Sequence, residues 1–376
     1  MKHTNIHFES DSAHSRFRTG VSLHSHTLHS EETLDFIYKL ASSFPPMAFA
    51  LQKGEARYRA AHNGASLDLT RAWWTPPCAP LDAWKLERNH IRYLLDMEGL
   101  ISLTDHDTID APMHLRVLES CRAIPISVEW TVPFENTFFH LGVHNIAPGR
   151  ARETMRELEE YTAHPKPAQL TDLLESVAAN PATLIVFNHP NWDERGIGEE
   201  AHRNAARRFA AMHLKHLHAF ELNGLRPWKE NRSVFDLSAA FGLPLISGGD
   251  RHALEANTIL NLTNATTFDQ FVEEVRKGES HVLITEQYLE PFTLRILQNM
   301  EEILSDQPNH ALGWRRWSDR TFYRHEDGTV RSLGDGWGDR QPLAVTIFVR
   351  GLQMLRHPSF KQACRFAFAR REEVIL

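Results

Sequence analysis

Short apolar runs alternate with amphipathic stretches along most of the chain. The apolar runs predict strands, and apolar residues at helical spacing predict the helices between them. Because strands that alternate with helices are typical of βαβ units, the pattern predicts a mainly parallel sheet, and seven or eight units favour a barrel over an open sheet. The predicted strands lie at 21–23, 101–103, 124–128, 138–143, 184–187, 219–222, 245–247, 258–262 and 281–284. The predicted helices lie at 34–41, 83–98, 152–161, 170–179, 199–212, 233–241 and 268–277.

Two stretches interrupt this alternation. Residues 44–80 contain two Pro-Pro pairs and the pair Trp73-Trp74 without a clear period, which predicts an insertion or lid. Residues 291–376 follow the last predicted unit and are expected to form a cap or an oligomer contact. The predicted fold is therefore α/β: a distorted (β/α)7 TIM-like barrel over residues 1–290, with an insertion after strand 1 and a C-terminal extension.

The composition is that of a globular chain, with 42% hydrophobic and 24% charged residues. No apolar run reaches the ~18 residues of a membrane span, so we expect no membrane partner. The polar first twenty residues argue against a secretory signal, and three widely spaced cysteines predict no disulfide framework. We therefore expect a reducing, cytoplasmic setting. The net charge of −7 disfavours a protein that coats nucleic acid, although the mildly basic segment from residue 311 leaves nucleic acid open as a partner.

The 23 histidines gain meaning from their positions at predicted strand ends. The C-terminal ends of barrel strands form one face, where active sites lie. Imidazole and carboxylate ligands without cysteine suit Zn²⁺, Mn²⁺ or Fe²⁺ better than Mg²⁺ or Ca²⁺. Eight candidate ligands are more than one ion binds, so the sequence predicts two or three ions that share a bridging carboxylate. The candidate ligands at these ends are His24, His26, His106, Glu129, His140, His189, Asp250 and His252.

The order of these motifs resembles that of the polymerase and histidinol phosphatase (PHP) family of metal-dependent phosphoesterases. The resemblance covers roughly residues 20–285 and implies a distorted seven-stranded barrel around a di- or trinuclear centre. The matching motifs are His24-Ser25-His26, Thr104-Asp105-His106-Asp107, Glu129 with His140, Asn188-His189-Pro190, and Asp250 with His252.

The resemblance also implies three sets of metal ligands that share one bridging carboxylate. The first set is His24, His26, Glu129 and Asp250, the second is Glu129, His140 and His189, and the third is His106, His252 and Glu31. Glu31 enters because the family often has Ser-Asp-Gly after its first motif, where this chain has Ser30-Glu31-Glu32. A longer acidic side chain at the Asp position is still able to ligate.

The expected chemistry is attack on phosphorus by a hydroxide that bridges two ions, because metals lower the pKa of bound water. Asp250 or His252 is expected to pass a proton to the leaving oxygen. Asp105 and Asp107 are expected either to orient His106 or to cap their own loop.

Further residues are expected around these ligands. His144 shares a strand face with His140 and is expected to support the ligands or to lie at the rim of the site. A phosphate substrate is expected to bind a positively charged side chain, and arginine can bind phosphate through two parallel hydrogen bonds. Arg195, Arg226 and Arg251 are the candidates, each with a salt bridge or a loop anchor as the alternative.

These inferences predict an enzyme that hydrolyses a small phosphomonoester such as a nucleotide or sugar phosphate. One alternative is a phosphodiesterase or exonuclease that acts on oligonucleotides, which the basic C-terminal segment supports weakly. Another is a barrel that keeps its metals for structure and serves as a binding or regulatory module. Metal-assisted C–N hydrolysis is a third, but the strand-end motifs contain no lysine for the carboxylated ligand that such hydrolases often use.

Overall fold

The computed structural model describes residues 3–34, 68–337 and 343–369, together with isolated positions between 49 and 64. Part of the predicted insertion, between residues 44 and 67, and all but the first residue of the predicted helix at 34–41 lie outside the described residues. The strands are His3–Phe8 (β1), Thr19–Ser22 (β2), Glu32–Thr33 (β3), Ala72–Trp74 (β4), Glu98–Ile101 (β5), Val128–Phe134 (β6), Thr137–His144 (β7), Leu184–Asn188 (β8), Ala219–Asn223 (β9), Leu245–Gly248 (β10), Ile259–Thr263 (β11), Glu279–Ile284 (β12), Thr321–Arg324 (β13) and Val330–Ser332 (β14).

Helices follow most of the central strands, as the alternating pattern predicts. Among the helices of the described segments, none has both the length and the apolarity that a membrane crossing requires. The α-helices are Pro80–Leu95 (α1), Asp110–Leu115 (α2), Ala151–Ala163 (α3), Pro167–Ala178 (α4), Glu199–His213 (α5), Trp228–Phe241 (α6), Phe268–Lys277 (α7), Phe292–Leu304 (α8), Leu333–Trp337 (α9), Leu343–Gln353 (α10) and Pro358–Ala369 (α11).

Two five-stranded sheets carry the central part of the chain, in the orders β1-β12-β11-β2-β5 and β10-β9-β8-β7-β6. Isolated parallel bridges join the sheets where their strands end, between Ser25 and Arg251 and between His106 and Glu129. The α/β class is thus confirmed. Neither sheet closes on itself through the strand pairs of the described residues, so the (β/α)7 barrel form stays a prediction.

Helix α7 illustrates how the sequence builds these layers. Its residues Phe268, Phe271, Val272 and Val275 recur at helical spacing and are all buried. The Thr267 hydroxyl accepts a hydrogen bond from the Gln270 backbone N–H and caps the first turn. The helix ends at Gly278, which has a φ of 89°, a conformation that glycine adopts without a Cβ penalty.

The strands around Glu129 differ from the sequence prediction. A strand was expected to end at Glu129, but β6 begins one residue earlier, at Val128, and forms an antiparallel hairpin with β7. Strand β7 also runs antiparallel to β8, so this sheet is mixed rather than mainly parallel. The cause is the two-residue turn after Phe134, where Glu135 has a φ of 51° and reverses the chain.

A third sheet connects regions that are far apart in sequence. Strand β3 precedes the predicted insertion, β4 lies in its last part, and β13 and β14 belong to the C-terminal extension. The sheet order is β14-β13-β4-β3, so the extension pairs directly with the insertion. The domain boundaries at 290 and at 44–80 stay predictions.

Candidate metal centre

The backbone near the candidate centre is held by hydrogen bonds between the end of β2 and the loop after β10. The Asp250 N–H donates to the His24 carbonyl at 2.7 Å, and the His26 N–H donates to the Arg251 carbonyl at 2.9 Å. His24, His189 and Asp250 have φ values of 62°, 25° and 57°, in a region that side-chain-bearing residues seldom adopt. Such backbone strain is concentrated at functional sites, and here it falls on three candidate ligands.

Side chains from distant parts of the sequence meet at these strand ends. They form four overlapping groups. Within each group, the potential ligand atoms all lie within 4.8 Å of one another. The groups are His24, His26 and Glu129; His24, His189 and Asp250; His106, Glu129 and His140; and His26, Glu32, His106 and His252. All eight ligands expected from the strand ends are therefore brought together, and Glu32 joins them.

Glu129 occupies the middle of the cluster and is fully buried. Its Oε2 lies 2.8 Å from His24 Nε2 and 3.4 Å from His106 Nδ1. Its Oε1 lies 3.1 Å from His189 Nε2. One carboxylate thus faces imidazoles on two sides, as the bridging role expected of Glu129 requires.

The charges of the cluster are strongly coupled. Burial alone would raise the pKa of Glu129, but His24 and His106 hold it well below its usual range. Burial would likewise raise the pKa of Asp250, but the neighbouring His24 and His252 hold it well below its usual range. Burial lowers the pKa of His24, yet Glu129 and Glu221 raise it well above its ordinary value. The carboxylates therefore stay ionised in a buried place and demand compensating positive charge.

A buried nitrogen without a hydrogen-bond partner shows that this donor set fits metal ions. Among the residues that the structure describes, His26 Nε2 has no such partner, although it lies 3.3 Å from Glu129 Oε2 and 3.4 Å from Asp250 Oδ1. A buried polar atom without a partner calls for an explanation, and a bound ion is one of the standard ones. Imidazole nitrogens and carboxylate oxygens are ligands of Zn²⁺, Mn²⁺ and Fe²⁺.

The acidic residue that reaches the third group is Glu32, not the expected Glu31. Glu32 is buried, and its Oε2 lies 3.1 Å from His252 Nε2 and 3.5 Å from His106 Nε2. Glu31 is exposed and belongs to none of the ligand groups of the described residues. The reason is strand geometry, because neighbouring side chains on an extended segment point to opposite sides.

Asp105 and Asp107 bond to neighbouring loops and not to the His106 ring within the described segments. The Asp105 carboxylate accepts hydrogen bonds from the N–H and the hydroxyl of Thr27, at 2.5 and 2.8 Å. Asp107 accepts from the Thr131 N–H at 2.7 Å. Of the two expected roles, the geometry corresponds to loop caps, which fix the segments that carry His26 and Glu129.

His144 does not lie at the rim of the centre. It pairs with Leu184 at the start of β8, whereas His140 pairs with Asn188 at the end of that strand. Its side chain is buried, with Nδ1 2.8 Å from the Ser102 hydroxyl. Burial is the main cause that lowers the pKa of His144 to about 3. The expectation of a rim residue fails because β7 runs antiparallel and carries His144 away from the site.

The three candidate arginines occupy different surroundings. Arg226 lies beside the cluster, with Nη2 3.4 Å from Asp250 Oδ2 and its guanidinium 3.8 Å from the Trp192 ring centre. Arg195 is exposed in the loop after His189. Arg251 is buried, and its donors go to Glu87 Oε1 at 3.0 Å and to the carbonyls of His26 and Ala253. The loop-anchor alternative therefore describes Arg251, because its donors are committed to the protein.

Sequence reasoning missed three acidic residues near the cluster. Glu221 is buried in β9, 2.5 Å from His24 Nδ1, and accepts the His189 N–H at 2.8 Å. Glu194 lies 4.0 Å from His140 Nδ1 and lines a pocket with His140, His189 and Trp192. Glu32 is the third. A charged residue inside the apolar run 219–222 was the available signal for Glu221, since buried charges need a partner.

Comparisons with known proteins give only distant similarities. No family model matches the chain, and no curated protein matches it. Among solved structures, PsfC from Pseudomonas syringae has 15% identity and a TM-score of 0.40, with 58% of this chain and 88% of PsfC covered. An amidohydrolase from Chromobacterium violaceum with bound sulfate and no metal has 15% identity and a TM-score of 0.33, with 49% and 84% covered.

A two-domain protein from Bacteroides vulgatus that contains a predicted PHP-like metal-dependent phosphoesterase is similar at 14% identity and a TM-score of 0.35. The match covers 55% of this chain and 60% of that one. Similarities of this size assign the chain to no family. The function must therefore be argued from the site itself.

Proposed function

We propose that this protein is a metal-dependent phosphoesterase of the PHP type, with two or three divalent ions of Zn, Mn or Fe at the strand ends of a distorted barrel. The observation that carries the proposal is the cluster of nine imidazole and carboxylate side chains with overlapping ligand groups. A single structural ion needs about four ligands, so a set of this size supports more than one ion.

The ligands would divide among the ions as their proximity suggests. His24, His26, Glu129 and Asp250 would hold one ion, with Glu129 shared towards His140 and His189. His106, His252 and Glu32 would hold the third ion. Ions in such a site supply Lewis acidity towards phosphoryl oxygens and lower the pKa of bound water. The protein contributes the fixed arrangement of ligands in a buried place.

Arg226 supports phosphate as the substrate group. Its guanidinium is stacked on Trp192 beside Asp250, and its Nε has no hydrogen-bond partner among the described residues. Since arginine binds phosphate oxygens through its planar fork, Arg226 would orient a phosphoryl group at the edge of the cluster. The Trp192 ring would restrict the rotamers of Arg226 and keep the donors in place.

Of the two residues expected to pass a proton to the leaving oxygen, Asp250 fits that role less well than His252. The low pKa of Asp250 keeps its carboxylate ionised, which favours a role as ligand or proton acceptor over a role as acid. His252 Nδ1 lies 2.8 Å from the Asp250 carbonyl, so its ring is held with Nε2 towards Glu32.

A small phosphomonoester is the proposed substrate, because Arg226 beside the cluster would bind a single terminal phosphate.

The test is a panel of phosphomonoesters and phosphodiesters presented to the protein loaded with Zn²⁺, Mn²⁺ or Fe²⁺. We expect inorganic phosphate to be released from monoesters and the rate to fall by about 10³-fold or more in Asp250→Asn. Arg226→Met should raise KM, whereas Arg152→Met, an exposed arginine on α3, serves as the matched control. Preference for long oligonucleotides with a steep salt dependence would favour the exonuclease alternative. Full metal loading without hydrolysis of any ester would refute the proposal.

A further inference from the structure

The C-terminal extension is connected to the candidate ligand Glu32 through a single intervening strand. In the third sheet Glu32 pairs with Trp74, and Trp74 pairs in turn with Thr321 of the extension. The Trp74 ring centre also lies 6.1 Å from that of His252. A strand of two residues makes few hydrogen bonds of its own, so the position of β3 depends on the strands beside it.

Arg320 fastens this sheet to the body of the extension. Its side chain is fully buried, with Nη1 donating to the Thr75 carbonyl at 3.1 Å and Nη2 donating to the Ile303 carbonyl at 2.7 Å. The Thr75 N–H donates back to the Arg320 carbonyl at 2.9 Å. The end of β4 and the end of α8 are thus held by one buried guanidinium, whose loss would leave two buried carbonyls without donors.

The end of α8 also contacts the loop that follows His252. Glu302, the neighbour of Ile303, accepts hydrogen bonds from the N–H groups of Leu254 and Glu255 at 2.7 and 3.0 Å. The extension therefore touches the chain on both sides of one ligand group, at the strand beside Glu32 and at the loop after His252.

We propose that the C-terminal extension is a positioning element of the centre, in which Arg320 and Glu302 hold Glu32 and His252 at the distance needed to bind one ion. This inference rests on the proposed metal centre and deepens it. The extension is then needed for one ion and not for the others, because His24 and Glu129 belong to the other two sheets or to the loops that join them.

The experiment measures metal content, independently of any substrate. Full-length wild type, Arg320→Met and Glu302→Gln are dialysed to equilibrium against buffered Zn²⁺ or Mn²⁺, and bound metal is counted by plasma mass spectrometry. We expect the affinity for one ion to fall by about 10- to 100-fold in both variants, while the remaining ions stay bound. In a Glu32→Gln background, Arg320→Met should cause no further loss, because both changes act on the same ion.

Two variants remote from the centre serve as controls. Arg276 also donates to backbone carbonyls, at Asn180 and Thr183, and Glu274 accepts from the Thr263 hydroxyl. Arg276→Met and Glu274→Gln should keep all ions. If Arg320→Met does not fold, Arg320→Lys and Glu302→Gln decide the matter, since they keep the charge or the shape of the original side chain.

The outcomes separate this inference from the proposed function. Wild-type metal content in folded Arg320 and Glu302 variants would overturn the positioning role and leave the phosphoesterase proposal intact. Loss of every ion in both variants would contradict selectivity for one ion. A wild type that binds no metal at all would remove the proposed function together with this inference.

Discussion

At the scale of single residues, Glu221 fixes the direction of a ligand imidazole. Its carboxylate lies 2.5 Å from His24 Nδ1 and leaves Nε2 facing Glu129. Carboxylates behind a ligating histidine set its tautomer and raise its basicity. We therefore expect Glu221→Gln to weaken binding of one ion by about 10- to 100-fold, measured by competition with a chelator.

An exposed glutamate provides the matched control for Glu221. Glu175 is paired with Lys215 on the surface at 3.6 Å, so Glu175→Gln should leave metal affinity unchanged. Equal affinities of the wild type and Glu221→Gln would show that the His24 ring is oriented by its packing alone.

Arg251 provides a second prediction at this scale, because its charge is buried against Glu87. Removing one partner of a buried pair leaves an uncompensated charge. We expect Arg251→Met to lower the free energy of unfolding by about 3–5 kcal/mol in urea titration. An unchanged stability with a raised KM for phosphoesters would instead restore the phosphate-binding role expected from the sequence.

His213 lies at the end of α5, away from the metal centre. We expect it to contribute to the loss of stability of the fold in acid. Burial, aided by His216, lowers the pKa of His213 to about 4. The unfolded chain therefore binds more protons than the folded chain between about pH 6.5 and pH 4, and stability falls as the pH drops through this window. His213→Leu should lose less stability than the wild type between pH 7 and pH 4, because leucine takes up no proton. Parallel curves of unfolding free energy against pH would contradict this.

At the scale of elements, the end of β10 is shaped by glycines that make room for site residues. A Cβ on Gly248 would lie 1.7 Å from Glu221 Oε1, and a Cβ on Gly249 would lie 1.7 Å from the Asn257 side chain. Gly248→Ala must displace the carboxylate that orients His24. We expect it to cost about 1–3 kcal/mol of stability and to weaken metal binding as Glu221→Gln does.

Gly149 is the control for this substitution, because a Cβ there meets no atom within 4 Å. Gly149→Ala should leave both melting temperature and metal content unchanged. If Gly248→Ala binds metal as the wild type does, the crowding at the end of β10 is relieved without moving Glu221.

The elements that the sequence predicts best are those whose pattern is local. The prediction of a helix at 268–277 coincides with α7, since its apolar spacing, cap and final glycine all lie within the segment. The prediction of a strand that ends at Glu129 is wrong, because the start of β6 is set by pairing with β7. The prediction of Glu31, made because it matches the family's Asp position, is wrong for a similar reason, since it is Glu32 that pairs with β4 and reaches His252.

At the scale of the whole molecule, the centre assembles residues from position 24 to position 252. Eight of these residues could be predicted because each stands in a recognisable motif near the end of a predicted strand. Glu221 could not, since its role appears only when β9 lies beside the end of β2. The pairing of the C-terminal extension with β4 could not be predicted for the same reason, because Thr321 and Trp74 are distant in sequence and adjacent in the sheet.

The metal content of the whole protein tests the central claim most directly. Plasma mass spectrometry on protein purified without chelator or added metal needs no guess about the substrate. The site predicts about two to three equivalents of Zn, Mn or Fe, with fewer in His24→Ala and Asp250→Ala. Less than about half an equivalent in the wild type, even after reconstitution with these metals, would contradict the metal centre and the chemistry proposed for it.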